Sequence, residues 1–215
     1  MTAPTVPTVQ TAPSLRSPRS AGSPGPAGSP GSTGSAGSPG PAGSPDSSRS
    51  SRSGDSRPGS PDLLRSVFRQ HAAGVAVITA RDGARPVGFT ATSLNSVSAD
   101  PPLLSFTIGT GASSWPGVRD SEYLGVHILG EHQRELAGLF ARSGADRFGE
   151  ATGWEPGPHG VPVLDGVLAW LACRVVARVP AGEHRVIIAE AVAGDPAGEG
   201  RPLLYHQGRF NALRD

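Results

Sequence analysis

Residues 88–106 have the sequence GFTATSLNSVSADPPLLSF, the most distinctive stretch of the chain. Up to Pro102 it is dense in hydroxyl groups and small side chains, and it lies between two apolar runs. Small side chains let backbone N–H and C=O groups approach a flat ligand closely, and Ser and Thr hydroxyls both donate and accept hydrogen bonds. The stretch therefore fits the lining of a ligand site or, as the plainer interpretation, a polar strand followed by a turn.

Short apolar runs separated by turn residues continue on both sides of this stretch. Residues 75–80 end at the turn 81–83, and Pro101 and Pro102 precede a further run. Such runs are typical of strands in an antiparallel sheet. The predicted strands are 75–80, 86–94, 103–108, 123–129, 167–179, 184–193 and 203–205. They predict a mainly β fold, a closed antiparallel barrel with a few flanking helices.

A helix is predicted to begin at Ser60-Pro61-Asp62. Ser is a favoured N-cap, Pro suits the first helical position, and an acid suits the positive end of the helix dipole. Gly74 ends the pattern. Side chains that recur with helical spacing are Leu63, Leu64, Val67, Phe68 and His71. A short helix is predicted near Ser113 and a longer one over 131–141, whereas the Gly- and Pro-rich residues 142–166 are predicted to be irregular.

The first 60 residues differ in composition from the rest. They are almost wholly Ser, Gly, Pro, Ala, Thr and Arg, without an aromatic residue, so they are predicted to form a disordered tail before one domain at 61–215. Gly recurs at every third position from Gly22 to Gly43, giving eight collagen-like triplets. A linker is favoured over a trimerising triple helix, because so short a triple helix has no core to offset its ordering.

Several classes of protein are disfavoured by composition. The domain has 14 Arg against 16 acidic residues, a net charge of −2, which argues against nucleic-acid binding. Cys173 is the one cysteine and is expected in the core, so no internal disulfide forms. Neither a membrane-length apolar run nor a secretory signal is evident, so a cytoplasmic protein is expected. The six histidines lack zinc-type spacing, and no nucleophile elbow, Walker loop or dinucleotide fingerprint occurs.

The stretch 88–106 resembles the core motif of the flavin reductase family, the small reductase components of two-component flavin monooxygenases. The resemblance covers 62–213, with its elements in family order. It continues through 113–115, 123–129, 131 to Arg147-Phe148, 162–164, 173–175, 182–184 and 202–205. It implies a split β-barrel that binds FMN, or sometimes FAD, uses NAD(P)H, works as a homodimer and passes reduced flavin to a separate monooxygenase.

The resemblance also implies which residues hold the flavin. Those lining the isoalloxazine and ribityl chain are Gly88, Phe89, Thr90, Ala91, Thr92, Ser93, Leu94, Ser96, Val97 and Ser98. Those at the ribityl and phosphate end are Gly109, Thr110, Ser114 and Trp115, with charge from Arg147 or, as the alternative left open, Arg142. A phosphate at the start of a helix is physically reasonable, because free N–H groups and the dipole favour an anion.

Gly182-Glu183-His184 is similar to the Gly-Asp-His motif of the family, with Glu in place of Asp. In relatives this His lies beside the nicotinamide, and His184 is therefore predicted as the catalytic residue; a surface His at a hairpin start is the plainer interpretation. His127 stands where the family commonly has Asn. It either faces the flavin and alters its potential or fills the site.

The implied reaction is hydride transfer from C4 of the nicotinamide to N5 of the flavin, which needs no acid or base with a strongly shifted pKa. FMN and FAD, like NADH and NADPH, agree equally with the residues present. Two other functions stay open: a flavoprotein that keeps its FMN and reduces another acceptor, and a flavin-binding or storage protein without NAD(P)H use. A collagen-like trimeric adhesin rests only on the tail.

Overall fold

The computed structural model describes residues 58–196 and 198–213; the predicted disordered tail with its collagen-like triplets lies outside these residues, apart from its last three. The mainly β prediction is confirmed. The helices are α1 (Pro61–Phe68), α2 (Trp115–Asp120) and α3 (Arg134–Ala141). The strands are β1 (Ala73–Gly74), β2 (Ala76–Asp82), β3 (Arg85–Ala91), β4 (Asn95–Ser98), β5 (Leu103–Gly109), β6 (Tyr123–Ile128), β7 (Trp154–Pro156), β8 (Pro162–Leu164), β9 (Ala169–Ala181), β10 (His184–Asp195), β11 (Leu203–His206) and β12 (Arg209–Ala212).

Seven strands form one antiparallel sheet in the order β3-β2-β6-β9-β10-β5-β4. β3 also approaches β5, so the sheet curls round on itself into a barrel. Alternate side chains point into it, and its core includes Phe106, Leu124 and Ile187. Cys173 lies in this core as expected, where burial raises the pKa of its thiol to about 12.

A second apolar layer covers the outer side of β2. The helix α3 and the small sheet β1-β11-β12 pack there, and Val77, Phe140 and Leu203 form part of this second core. The long segment 142–166, predicted to be irregular, contains the short antiparallel pair β7–β8. Its residues Val161 and Val163 are buried against Ala172 of β9.

α1 begins where its sequence predicts, since the Ser60 Oγ accepts a hydrogen bond from the Leu63 N–H at 3.1 Å. It ends at Phe68 instead of reaching Gly74, because the chain turns there and enters β1. Its apolar side contributes nothing to either core. The side chains Leu64, Val67 and Phe68, here called the apolar stripe, are 59%, 58% and 62% exposed.

Candidate functional site

The predicted ligand residues lie along β3, β4 and the end of β5, beside two cavities. The polar cavity, of about 440 Å³, is lined by Gly88, Ser113, Ser114, Arg147 and Phe148, among others. The apolar groove, of about 490 Å³, lies at one end of the barrel and is lined by Leu94, Ser96, Ser98, Leu103 and Trp170, among others. The turn that joins β3 to β4 therefore separates a polar half of the candidate site from an apolar half.

Arg147 is the dominant charge of the polar cavity. Its Nη1 donates to the hydroxyls of Ser113 and Ser114, each at 3.2 Å, and its Nη2 donates to the Arg142 carbonyl. Its Nε is buried without a hydrogen-bond partner, and burial lowers the pKa of the guanidinium. Asp146 lines the same cavity, yet within the described chain Arg147 makes no salt bridge. A half-buried cation that has a spare donor and forms no salt bridge is suited to an anion such as a phosphate.

Ser114 connects this cation to β3. Its buried Oγ donates to the Gly88 carbonyl at 2.6 Å while accepting from Arg147. Gly88 is required for packing: a Cβ added there would lie 2.8 Å from both the Ile78 carbonyl oxygen and a ring carbon of Phe140. The absence of a side chain at Gly88 therefore allows close packing of Ile78 and Phe140 against the backbone, and not of a ligand. Ser113, which the sequence-based site left out, is a second hydroxyl on Arg147.

Two hydroxyls of the motif form hydrogen bonds that connect elements of the domain. Thr90 Oγ1 donates to the Ala137 carbonyl of α3 at 2.7 Å. The Ser93 Oγ accepts from the Thr107 N–H at 2.9 Å, which ties the β3–β4 turn to β5. Thr92 is exposed on this turn, and its hydroxyl has no hydrogen-bond partner within the described residues. Thr92 is thus available to a ligand in a way that Thr90 and Ser93 are not.

The other residues of the motif divide between the core and the surface. Phe89 and Leu94 pack against the barrel core, and Ala91 is buried in it. Val97 is 53% exposed, Ser96 is exposed, and Ser98 donates to the Asp100 carbonyl. Direct contact of these side chains with a flavin stays a prediction.

His184 begins β10 directly opposite Gly109, the last residue of β5. A Cβ added at Gly109 would lie 3.6 Å from the His184 Nε2, so the imidazole lies over this glycine. The Thr110 N–H and hydroxyl both donate to the Glu183 carbonyl, at 2.9 and 3.0 Å, and fix the two strand ends together. Ser113, which lines the polar cavity, follows Gly109 by four residues, at most about 14 Å of chain.

Trp115, the first residue of α2, packs partly against the barrel core. The Arg185 guanidinium lies 6.0 Å from its ring centroid, a cation–π distance. Arg185 follows His184 on β10, so this contact joins the start of α2 to the strand that carries the imidazole.

His127 fills space and does not face a ligand. Its side chain is fully buried on the outer side of β6, away from Leu124 and Val126, which point into the barrel. Its Nδ1 lies 3.0 Å from the Val77 carbonyl, and its Nε2 makes no hydrogen bond of good geometry within the described residues. Burial lowers the pKa of this imidazole to about 4. Of the two alternatives raised by the sequence, the structure supports filling.

Two features are absent from the described part of the chain. Among residues 58–196 and 198–213, no group of three or more His, Cys, Asp and Glu side chains is arranged to hold a metal ion. Within the same residues, no helix has the length and apolar character to cross a membrane.

Comparison with known proteins places this site in context. A family model described as a flavin reductase like domain matches residues 68–214. An NADH:FMN oxidoreductase from Rhodococcus qingshengii is 42% identical over 68% of this chain and 78% of its own. The reductase component of a 4-nitrophenol monooxygenase from Rhodococcus opacus is 36% identical over 68% and 78%. The crystal structure of a flavin reductase domain protein from Arthrobacter sp. FB24 superposes with a TM-score of 0.69, at 41% identity over 72% of this chain and 96% of that one.

Proposed function

The chain belongs to the flavin reductase family, and we propose that it is an NAD(P)H:flavin oxidoreductase that reduces FMN or FAD and supplies the reduced flavin to a partner monooxygenase. The observation that carries this proposal is the cation Arg147, which donates to Ser113 and Ser114 and forms no salt bridge to a counter-charge within the described residues. A flavin phosphate would provide that counter-charge through charge-assisted hydrogen bonds.

From this anchor, the flavin would extend along the outer edge of β3 toward Thr92 and the apolar groove. The polar cavity would hold the phosphate and ribityl end, and the small residues of the β3–β4 turn would lie beneath the ring. When bound, the flavin supplies the chemistry by accepting a hydride from the nicotinamide. The hydride transfer needs no acid or base with a strongly shifted pKa. The chain itself therefore contributes the relative position of the two rings and the exclusion of water.

His184 is proposed to hold the nicotinamide. The imidazole is exposed and lies over Gly109, at strand ends that the Thr110–Glu183 hydrogen bonds join, so it can present a donor and a flat face to a ligand. A protein that only stores flavin has no use for such a group. The role of His184 therefore separates the reductase from the flavin-binding alternative.

The test uses the purified full chain with added FMN under anaerobic conditions. NADH or NADPH should bleach the flavin absorption band at about 450 nm. Arg147→Gln should raise the dissociation constant of FMN at least about tenfold. Arg142→Gln is the matched control, because Arg142 contributes its backbone carbonyl to Arg147 and its side chain is exposed. Bound FMN that neither nucleotide bleaches would favour the storage protein, and equal FMN affinity in both variants would exclude Arg147 as the anchor.

Two further features of the proposal concern assembly and location. The apolar stripe of α1 is unsuited to remain in water, and a homodimer that buries it is proposed. The consumption of NAD(P)H and a buried, unpaired Cys173 agree with a cytoplasmic protein.

A further inference from the structure

The side of α1 that carries Ser66, and not its apolar stripe, is turned toward the rest of the domain. That side faces the hairpin formed by β11 and β12, and the two elements enclose a cleft of about 540 Å³. The side chains that line it include Ser66 of α1, Arg69 and Gln70 directly after α1, and His206, Gln207 and Arg209 of the hairpin. We call this space the α1–hairpin cleft; it shares no lining residue with the polar cavity or the apolar groove.

Three basic groups meet in this cleft. The Arg69 carbonyl accepts from the Gln207 N–H at 3.2 Å, which fixes α1 against the turn of the hairpin. A Cβ added at Gly208 would lie 3.5 Å from the Arg69 Nη2, so the guanidinium reaches that turn, next to Arg209. His206 is the direct cross-strand partner of Arg209. The three side chains thus converge from both walls.

Among the described residues, no carboxylate lines the cleft to balance these groups, and neither Arg69 nor Arg209 forms a salt bridge. Four other arginines do pair with a carboxylate, namely Arg65, Arg85, Arg119 and Arg174. Like charges held together in one cleft repel each other, and an anion between them would remove that cost.

We propose that the α1–hairpin cleft binds the phosphate group of a small molecule, separately from the proposed flavin site. Two guanidinium groups can each donate two hydrogen bonds to phosphate oxygens, which is the preferred arginine–phosphate geometry. The Gln207 Nε2 lies 3.4 Å from the Gln70 Oε1, and this pair of amides adds neutral donors and acceptors beside the cations. The volume falls within the range of sites that hold nucleotide-sized ligands.

The test follows the backbone amide signals of Gln207 and Gly208 by NMR in the full-length, ¹⁵N-labelled protein. Inorganic pyrophosphate is titrated first and AMP second. We expect saturable shifts at both amides, with a dissociation constant below about 1 mM. Arg69→Gln and Arg209→Gln, made singly, should each weaken this binding at least about tenfold. AMP binding more tightly than pyrophosphate would identify a nucleotide as the source of the phosphate, and equal binding would identify phosphate itself.

Two controls make the result specific to the cleft. Arg65→Gln removes a paired arginine from the same helix and should leave the affinity unchanged. Arg147→Gln removes the cation of the polar cavity and should leave the shifts at Gln207 and Gly208 intact. Shifts that rise linearly without saturation, or saturable shifts that both Arg69→Gln and Arg209→Gln retain at full affinity, would overturn the proposal.

Discussion

At the scale of single residues, burial of His127 links the stability of the fold to pH. The imidazole has a pKa of about 4 in the folded protein, below its ordinary value of 6.5, because burial disfavours the charged form. Between these two pH values the unfolded chain binds a proton that the folded chain does not. The free energy of unfolding therefore falls as the pH falls from about 6.5 to about 4, by about 2 kcal/mol at pH 5 for this one group.

His127→Asn removes this titration while keeping a polar side chain at the position. We expect the loss of stability between pH 7 and pH 5 to shrink by about 2 kcal/mol in this variant, measured by urea unfolding. His132→Asn, at an exposed position, should retain the full loss. An unchanged loss in His127→Asn would show that other groups cause the acid sensitivity.

Gly88 provides a second residue-scale prediction, about packing. Because an added Cβ would lie 2.8 Å from the backbone oxygen of Ile78 and from the Phe140 ring, Gly88→Ala should destabilise the domain by about 2–3 kcal/mol. Gly138 on α3 is the matched control. A Cβ there meets nothing within 4 Å, so Gly138→Ala should be neutral or stabilising by up to about 1 kcal/mol. Chemical denaturation of both variants measures the difference, and equal stabilities would contradict the packing argument.

At the scale of elements, Thr90 and Thr92 are predicted to have different roles. Thr90 lies on β3, and Thr92 lies on the turn that follows it. Thr90→Val removes the hydrogen bond to Ala137 and should loosen α3 at a cost of about 1 kcal/mol. Thr92→Val loses no hydrogen bond within the described chain, so the free energy of unfolding should stay the same while FMN binding weakens. Urea unfolding and FMN titration of both variants separate the two roles. Equal FMN affinities in Thr92→Val and the parent chain would show that Thr92 does not contact the flavin.

Local chemistry explains how far the elements could be predicted from the sequence. The Ser60 cap and the short apolar runs between turn residues are local signals, and the helix start and most of the strands that they predict are present in the structure. The predicted strand 86–94 is instead broken after Ala91, because the Ser93 hydroxyl bonds to Thr107 of a strand that is distant in sequence. The Arg147–Ser113 contact is likewise made between separate segments. Hydrogen bonds between segments that are distant in sequence depend on tertiary packing, and a local sequence pattern does not predict them.

At the scale of the whole molecule, α1 shows that an amphipathic pattern predicts a helix but not the surface that buries its apolar side. Its polar side faces the domain at the α1–hairpin cleft, so the apolar stripe stays exposed unless a second protein surface covers it. Isolated apolar side chains are common on protein surfaces, whereas a continuous stripe along a helix is typical of an interface. The exposure of Leu64, Val67 and Phe68 together therefore indicates an interface.

The homodimer can therefore be tested through this stripe. We expect the parent chain to sediment as a dimer in analytical ultracentrifugation, and Leu64→Glu combined with Phe68→Glu to shift it toward the monomer, because two charges would have to be buried at the interface. Arg65→Gln, on the same helix but outside the stripe, should leave the dimer intact. If the parent chain sediments as a monomer, the homodimer is excluded and the partner monooxygenase becomes the candidate to cover the stripe. If the dimer persists with both glutamates, the dimer interface lies on another face of the barrel.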